Sequence, residues 1–136
     1  MKDRIFLDSN IIIYSPGMDK VKKRISVDLL KNSPYISIQV VNEVVSISIK
    51  KLKIPNSDAY NIGRVLLNKC KTVSLTESVV LKGFDLSERY GFSFWDSLIV
   101  AAALENECSI LYTEDLQHNQ SIENKLTIKN PYLNMK

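Results

Sequence analysis

Short apolar runs alternate along this chain with longer segments whose apolar residues recur every three or four positions, the pattern of strands separated by helices. Arg4-Ile5-Phe6-Leu7, Tyr35-Ile36-Ser37, Lys71-Thr72-Val73-Ser74-Leu75, Ser109-Ile110-Leu111-Tyr112-Thr113 and Leu126-Thr127-Ile128-Lys129 read as strands. After the first of them Ser15-Pro16-Gly17 marks a turn, and Val21, Ile25 and Leu29 then keep helical spacing to about Lys31. Val41, Val44, Val45, Ile49 and Leu52 line one face of a second helix over Gln39–Leu52, which Pro55 stops. Asn56-Ser57 offers an N-cap for a third helix to about Lys69, and Thr76 caps a fourth through Arg89, with Gly91 as its left-handed terminator. Ser93 caps a fifth, Phe94–Glu105, whose sequence FWDSLIVAAALE is apolar almost all round and predicts a helix deep in the fold. A short polar helix or turn follows Thr113 through Asn119.

Strands alternating with helices require crossover connections, which are right-handed and place helices on both faces of a parallel sheet. The expected fold is α/β: a three-layer α/β/α domain over residues 1–136, with a central, mostly parallel sheet of four to five strands. Hydrophobic residues at 45% and charged residues at 24% are ordinary for a soluble globular domain. No signal-peptide core or span of roughly 18–20 apolar residues is present, so a cytoplasmic location without a membrane partner is expected. Cys70 and Cys108 stand far apart, which indicates buried thiols rather than a disulfide framework or a paired metal motif.

Four acids change the picture. Asp8 closes the first strand, Asp115 follows the fourth, and Glu43 and Asp96 lie on helices. Carboxyl ends of parallel strands open into the crevice where α/β sheets bind ligands. Carboxylates converging there must protonate or hold a cation. Oxygen donors without His or Cys ligands suit Mg²⁺ or Mn²⁺, ions that activate water and stabilise the leaving oxygen in phosphodiester hydrolysis. Each acid also has a plain structural duty available. Asp8 can begin an Asx-turn, Asp96 sits three residues after Ser93 as in a capping box, and Asp115 competes with Glu114 for the strand tip. Ser9, Asn10, Thr113 and Glu114 are placed to support the carboxylates, whereas Trp95 is expected in the core and His118 and Gln117 receive no role. With a single histidine, metal-free cleavage by paired imidazoles is disfavoured.

The formal charge is +3, but setting the four acids aside leaves 11 of the 15 acidic residues against 18 basic ones, a basic remainder suited to a polyanion. Lys20, Lys22, Lys23 and Arg24, and then Lys50, Lys51 and Lys53, form the clusters.

Four segments in order resemble the PIN-domain ribonuclease family over nearly the whole chain: IFLDSNIIIY with Asp8, QVVNEVV with Glu43, FWDSLIVAAALE with Asp96, and ILYTEDLQHNQ with Thr113 and Asp115. Asn119 stands where the family often has glycine. The resemblance implies a Mg²⁺- or Mn²⁺-dependent endoribonuclease with those four acids as catalytic metal ligands. It also implies the toxin role of VapC-type proteins, which cut tRNA or ribosomal RNA, form homodimers and are blocked by a small antitoxin. Two alternatives remain at this point: a PIN-type RNA-binding domain without catalysis, and a receiver-like Mg²⁺-binding regulatory domain, against which the helix-borne Glu43 weighs.

Overall fold

A computed structural model describes residues 3–133. In chain order the elements are β1 (Ile5–Leu7), α1 (Ser9–Ile12), α2 (Lys20–Leu30), β2 (Tyr35–Ser37), α3 (Ile38–Lys50), α4 (Asn56–Lys69), β3 (Lys71–Val73), α5 (Glu77–Tyr90), α6 (Phe94–Glu105), β4 (Ile110–Tyr112), β5 (Ser121–Ile122) and β6 (Leu126–Lys129). The sheet order is β3-β2-β1-β4-β6-β5, parallel throughout except for the β5–β6 pair. Helices flank this sheet, as the alternation of periods requires.

Two elements depart from the expected set. The sheet has six strands rather than four to five because β5 and β6 form a hairpin. Its turn, closed by Lys125 N–H donating to the Ile122 carbonyl at 3.0 Å, places Glu123 and Asn124 at positive φ without a glycine. Lacking the Asn-Gly or Asp-Gly signature, that turn gave no local signal. The other addition is α1, a single turn nucleated by Asp8, whose side chain accepts from the Ser9 N–H. Its isoleucines favour strands by propensity, and burial of Ile11 and Ile12 overrides that preference.

Caps account for most boundaries. Ser37, Thr76 and Ser93 accept from Val40, Val79 and Asp96 N–H groups, and Gly91 ends α5 at φ 77°. The expected Asn56-Ser57 cap is displaced: Pro55 occupies the N-cap with no side-chain bond, because its fixed φ sets the chain's entry and makes Asn56 the first helical residue. After Asp115 the chain forms bends and turns, not a polar helix, and Asn119 takes the left-handed φ of 67° that asparagine tolerates.

The core is centred on β1, β4 and α6. Ser97 through Ala103 are all buried in α6, and Leu98, Ile99 and Val100 each contribute about 1.5–3 kcal/mol through that burial. At Gly83 a Cβ would come within 3.0 Å of Leu98 Cδ2, so glycine is what lets α5 seat closely on α6. Rigid packing of α6 sets where its first turn, carrying Asp96, meets the sheet's edge. Both cysteines are buried and free. No described helix is long and apolar enough to cross a membrane.

Candidate active site

β1 and β4 are adjacent and parallel, with Leu7 level with Tyr112, so the residues that follow them emerge side by side. The strand order reverses at this point: β2 and β3 extend from one side of β1, while the chain returns to β4 on the other. Asp8 N–H donates to the Tyr112 carbonyl at 3.1 Å, one last rung that locks the two exits together. Asp8 Oδ2 then accepts from Thr113 Oγ1 at 3.0 Å, and Oδ1 accepts from Ser9 N–H at 2.7 Å. The Ser9 hydroxyl donates to Oδ1 at a long 3.4 Å.

Thr113 is the hub of the rim. Its Oγ1 accepts from Asn10 Nδ2 at 3.0 Å and from Asp115 N–H at 3.2 Å while donating to Asp8. Asn10 Oδ1 accepts from Glu114 N–H at 3.3 Å, closing a ring between the two strand exits. A hydroxyl serving three partners, buried with no exposed surface, holds a single orientation.

Glu43 arrives from α3, which leaves β2 directly at Ser37, and Asp96 from the first turn of α6. Gln39 ties these two helices: its Nε2 donates to Glu43 Oε2 at 3.4 Å and to the Trp95 carbonyl at 3.3 Å. Sequence reading passed over Gln39, although its place four residues before Glu43 puts both on one helix face. Asp96 keeps its capping position, its N–H donating to Ser93 Oγ at 3.2 Å.

The charges interact. The Asp8 carboxyl is raised to about 7, chiefly by burial and further by the negative charges of Glu43 and Asp96, against the lowering bonds from Ser9 and Thr113. Asp96 is raised above the usual carboxylate range by burial and by the charge of Asp115, against the lowering bond from Ser93. The charges of Glu43 and Asp96 thus reach Asp8, and that of Asp115 reaches Asp96. Among the described residues no group of three His, Cys, Asp or Glu side chains stands close enough together to hold a metal ion.

Glu114 is differently occupied. Its carboxylate accepts from the Tyr14 hydroxyl at 2.6 Å and pairs with Lys22 at 3.3 Å, and Lys22 lies over the rings of Tyr14 and Tyr132. Of the two acids at this strand tip, Glu114 braces α2, while Asp115 is exposed and its charge acts on Asp96. Lys22, expected among cations for a polyanion, is committed to that brace. His118 Nδ1 accepts from Asn130 N–H at 3.0 Å, a structural duty. Trp95 corrects the reading of it as core: it is 62% exposed, because α6 turns its first residues outward beyond the sheet. A concavity of about 660 Å³ at the amino ends of the strands, beside Arg4, Pro34 and Lys71, has Asp3 as its one acid among the described residues.

A family model described as "PIN domain" matches residues 5–120. No curated protein sequence matches the chain. Among solved structures, a toxin–antitoxin complex from Klebsiella pneumoniae superposes with a TM-score of 0.72 at 18% identity, covering 94% of this chain and 98% of that one. VapC20 of Mycobacterium tuberculosis, described as a sarcin–ricin-loop-cleaving toxin, gives 0.66 at 14% identity, covering 82% and 91%. VapBC2 of Rickettsia felis, bound to a promoter DNA fragment, gives 0.66 at 20% identity, covering 93% and 97%. At these identities the likeness is one of fold. The receiver-like alternative does not survive the family match.

Proposed function

The chain belongs to the PIN domain family, and from that premise we propose that it is a metal-dependent endoribonuclease, the toxin of a toxin–antitoxin pair. The observation that carries this reading is the side-by-side exit of β1 and β4, which buries Asp8 against Thr113 at the carboxyl edge of the sheet, where the charges of Glu43 and Asp96 act on Asp8 and that of Asp115 acts on Asp96. A buried carboxyl pushed up to about 7 by burial and like charge is poised to bind a divalent ion, which would restore its ionised form.

Oxygen donors alone fit Mg²⁺ or Mn²⁺, ions that keep several waters and need few direct carboxylates. Asp8, Glu43, Asp96 and Asp115 would hold it; when bound, such an ion supplies a more acidic water and neutralises charge on the phosphodiester. The chain's own residues do the positioning. Thr113 holds the Asp8 carboxylate in one orientation, Ser9 and Asn10 keep Thr113 and Asp8 in register, and Gln39 steadies Glu43 against α6. Glu114 supports the rim through Tyr14 and Lys22. Hydrolysis would leave a 5′-phosphate and a 3′-hydroxyl.

RNA as substrate, tRNA or ribosomal RNA among the classes, rests on the family and on the printed description of the Mycobacterium tuberculosis relative. A small antitoxin partner is supported by fold neighbours solved as toxin–antitoxin complexes. A homodimer acting in the cytoplasm, with residues 1–136 as one nuclease domain, completes the reading. The test is cleavage of structured RNAs with Mn²⁺, Mg²⁺ or EDTA by wild type and Asp96→Asn. Cleavage that needs the metal and disappears in the variant is expected; identical cleavage by both would place the activity elsewhere.

A further inference from the structure

Trp95 adjoins the acid pocket in sequence yet presents most of its surface to solvent. Phe94 meets it edge-on, with ring centroids 5.3 Å apart, and stacks in turn on Phe84 at 5.7 Å, so the indole is braced from behind. Before it lies an open groove of about 490 Å³ lined by Ile38, Gln39, Asn42, Glu43, Leu75 and Trp95. Ile38 and Leu75, 40% and 47% exposed, supply apolar walls. Glu43 belongs to the acid pocket and to this groove at once, and Gln39 bonds both Glu43 and the Trp95 carbonyl.

An exposed aromatic face beside two carboxamides suits an unpaired nucleobase. Every base has a π-face to stack, and the Gln39 carbonyl oxygen, its N–H groups being given to Glu43 and Trp95, and the amide of Asn42 can meet groups on its edge. Charge decides which part of a nucleotide enters. Glu43 repels a phosphate from the groove but not a neutral base, so the base goes to Trp95 while the adjoining backbone runs past the acids. We propose that Trp95, Ile38 and Leu75, with Gln39 and Asn42, form a stacking subsite for one unpaired base of an RNA strand whose neighbouring phosphate lies at the acid pocket. The identity of that ligand rests on the nuclease reading above.

Trp95 is the chain's single tryptophan, so its emission reports on the subsite without any cleavage. The full-length protein, with Ca²⁺ supplied so that the acids do not repel the backbone, is titrated with short single-stranded RNA homopolymers and with matched strands carrying abasic sites. Saturable quenching is expected with the base-bearing strands and not with the abasic ones. Anisotropy of labelled strands should show binding about 5- to 150-fold weaker in Trp95→Ala, with most affinity recovered in Trp95→Phe. Bound RNA that leaves the emission unchanged, unaltered affinity in Trp95→Ala, or no saturable quenching by any strand would each overturn the subsite. Self-association lost in Trp95→Ala with RNA affinity intact would give this patch to a protein interface instead. Quenching without metal-dependent cleavage would retire the nuclease reading and keep the subsite; cleavage with no quenching would retire the subsite alone.

Discussion

Two acidic clusters in this molecule have opposite electrostatic fates. At the β5–β6 turn, Glu123 Oε2 receives Lys82 at 2.6 Å and Arg89 at 2.7 Å, and Arg89 also pairs with Asp85 at 3.1 Å. Those bonds from Lys82 and Arg89 hold the Glu123 carboxyl below the usual carboxylate range. At the β1–β4 edge, burial and the charges of Glu43 and Asp96 push Asp8 up to about 7. One cluster is balanced from within the chain and clamps α5 onto the hairpin. At the other, no cation is among the causes acting on Asp8 or Asp96, and their raised carboxyls cost stability, as the proposed metal site would require.

The sharpest way to break this contrast is to remove the Asp8 charge. Asp8→Asn should lower metal-dependent RNA cleavage by about two to three orders of magnitude while the fold persists, measured by initial rates and circular dichroism. Retained activity would mean that Asp8 is not part of the site. The pH profile of stability comes next. With Asp8 raised from 3.8 to about 7, the folded state binds the extra proton between those values. Ionisation of Asp8 therefore opposes folding, and its favourable contribution at low pH is lost as pH rises through about 7. Between about pH 4 and about pH 8 in metal-free buffer this one group should remove roughly 3–4 kcal/mol, read by denaturant melts. Asp8→Asn should abolish that loss, and Mg²⁺ should offset it in wild type. Glu123 has the opposite sign, its contribution being present above the ordinary carboxylate range and lost as pH falls.

Smaller effects separate the supporting shell from the clamp. Thr113→Val removes the donor to Asp8 and the acceptor for Asn10 and Asp115, so activity should fall about 10- to 100-fold in titrations of cleavage rate against Mn²⁺. Glu123→Gln should cost about 1 kcal/mol in a denaturant melt and leave cleavage unchanged. A variant of the clamp that impaired cleavage as much as Asp8→Asn would erase the distinction between the two clusters.

Local chemistry made much of the fold legible. Ser93 three residues before Asp96, Thr76 before Val79, and Gly91 after α5 are near-neighbour signals that act before any tertiary contact forms, and each lies where its chemistry predicts. The hairpin strand β5 and the one-turn α1 were not legible, because a Glu-Asn turn has no strong propensity and α1 depends on burial of Ile11 and Ile12 against the core. In the site, the acids stood out by position at strand ends and helix starts. Their partners did not: local propensity does not separate Glu114 from Asp115, which only the motif resemblance told apart, and folding alone brings Lys22 and Tyr14 to the former while the charge of the latter acts on Asp96. Trp95 likewise reads as core from an apolar helix whose first turn the fold swings into solvent.

By itself the sequence determined the alternation of strands and helices, the caps that bound most of them, and which carboxylates stand at their ends, since propensity and capping act over a few residues. Tertiary structure alone decided which charges find a partner. Proximity between residues some hundred positions apart, as for Asp8 and Thr113, is a property of the strand order. So is the burial that raises Asp8, because desolvation exists only once β1 and β4 lie side by side inside the packed layers.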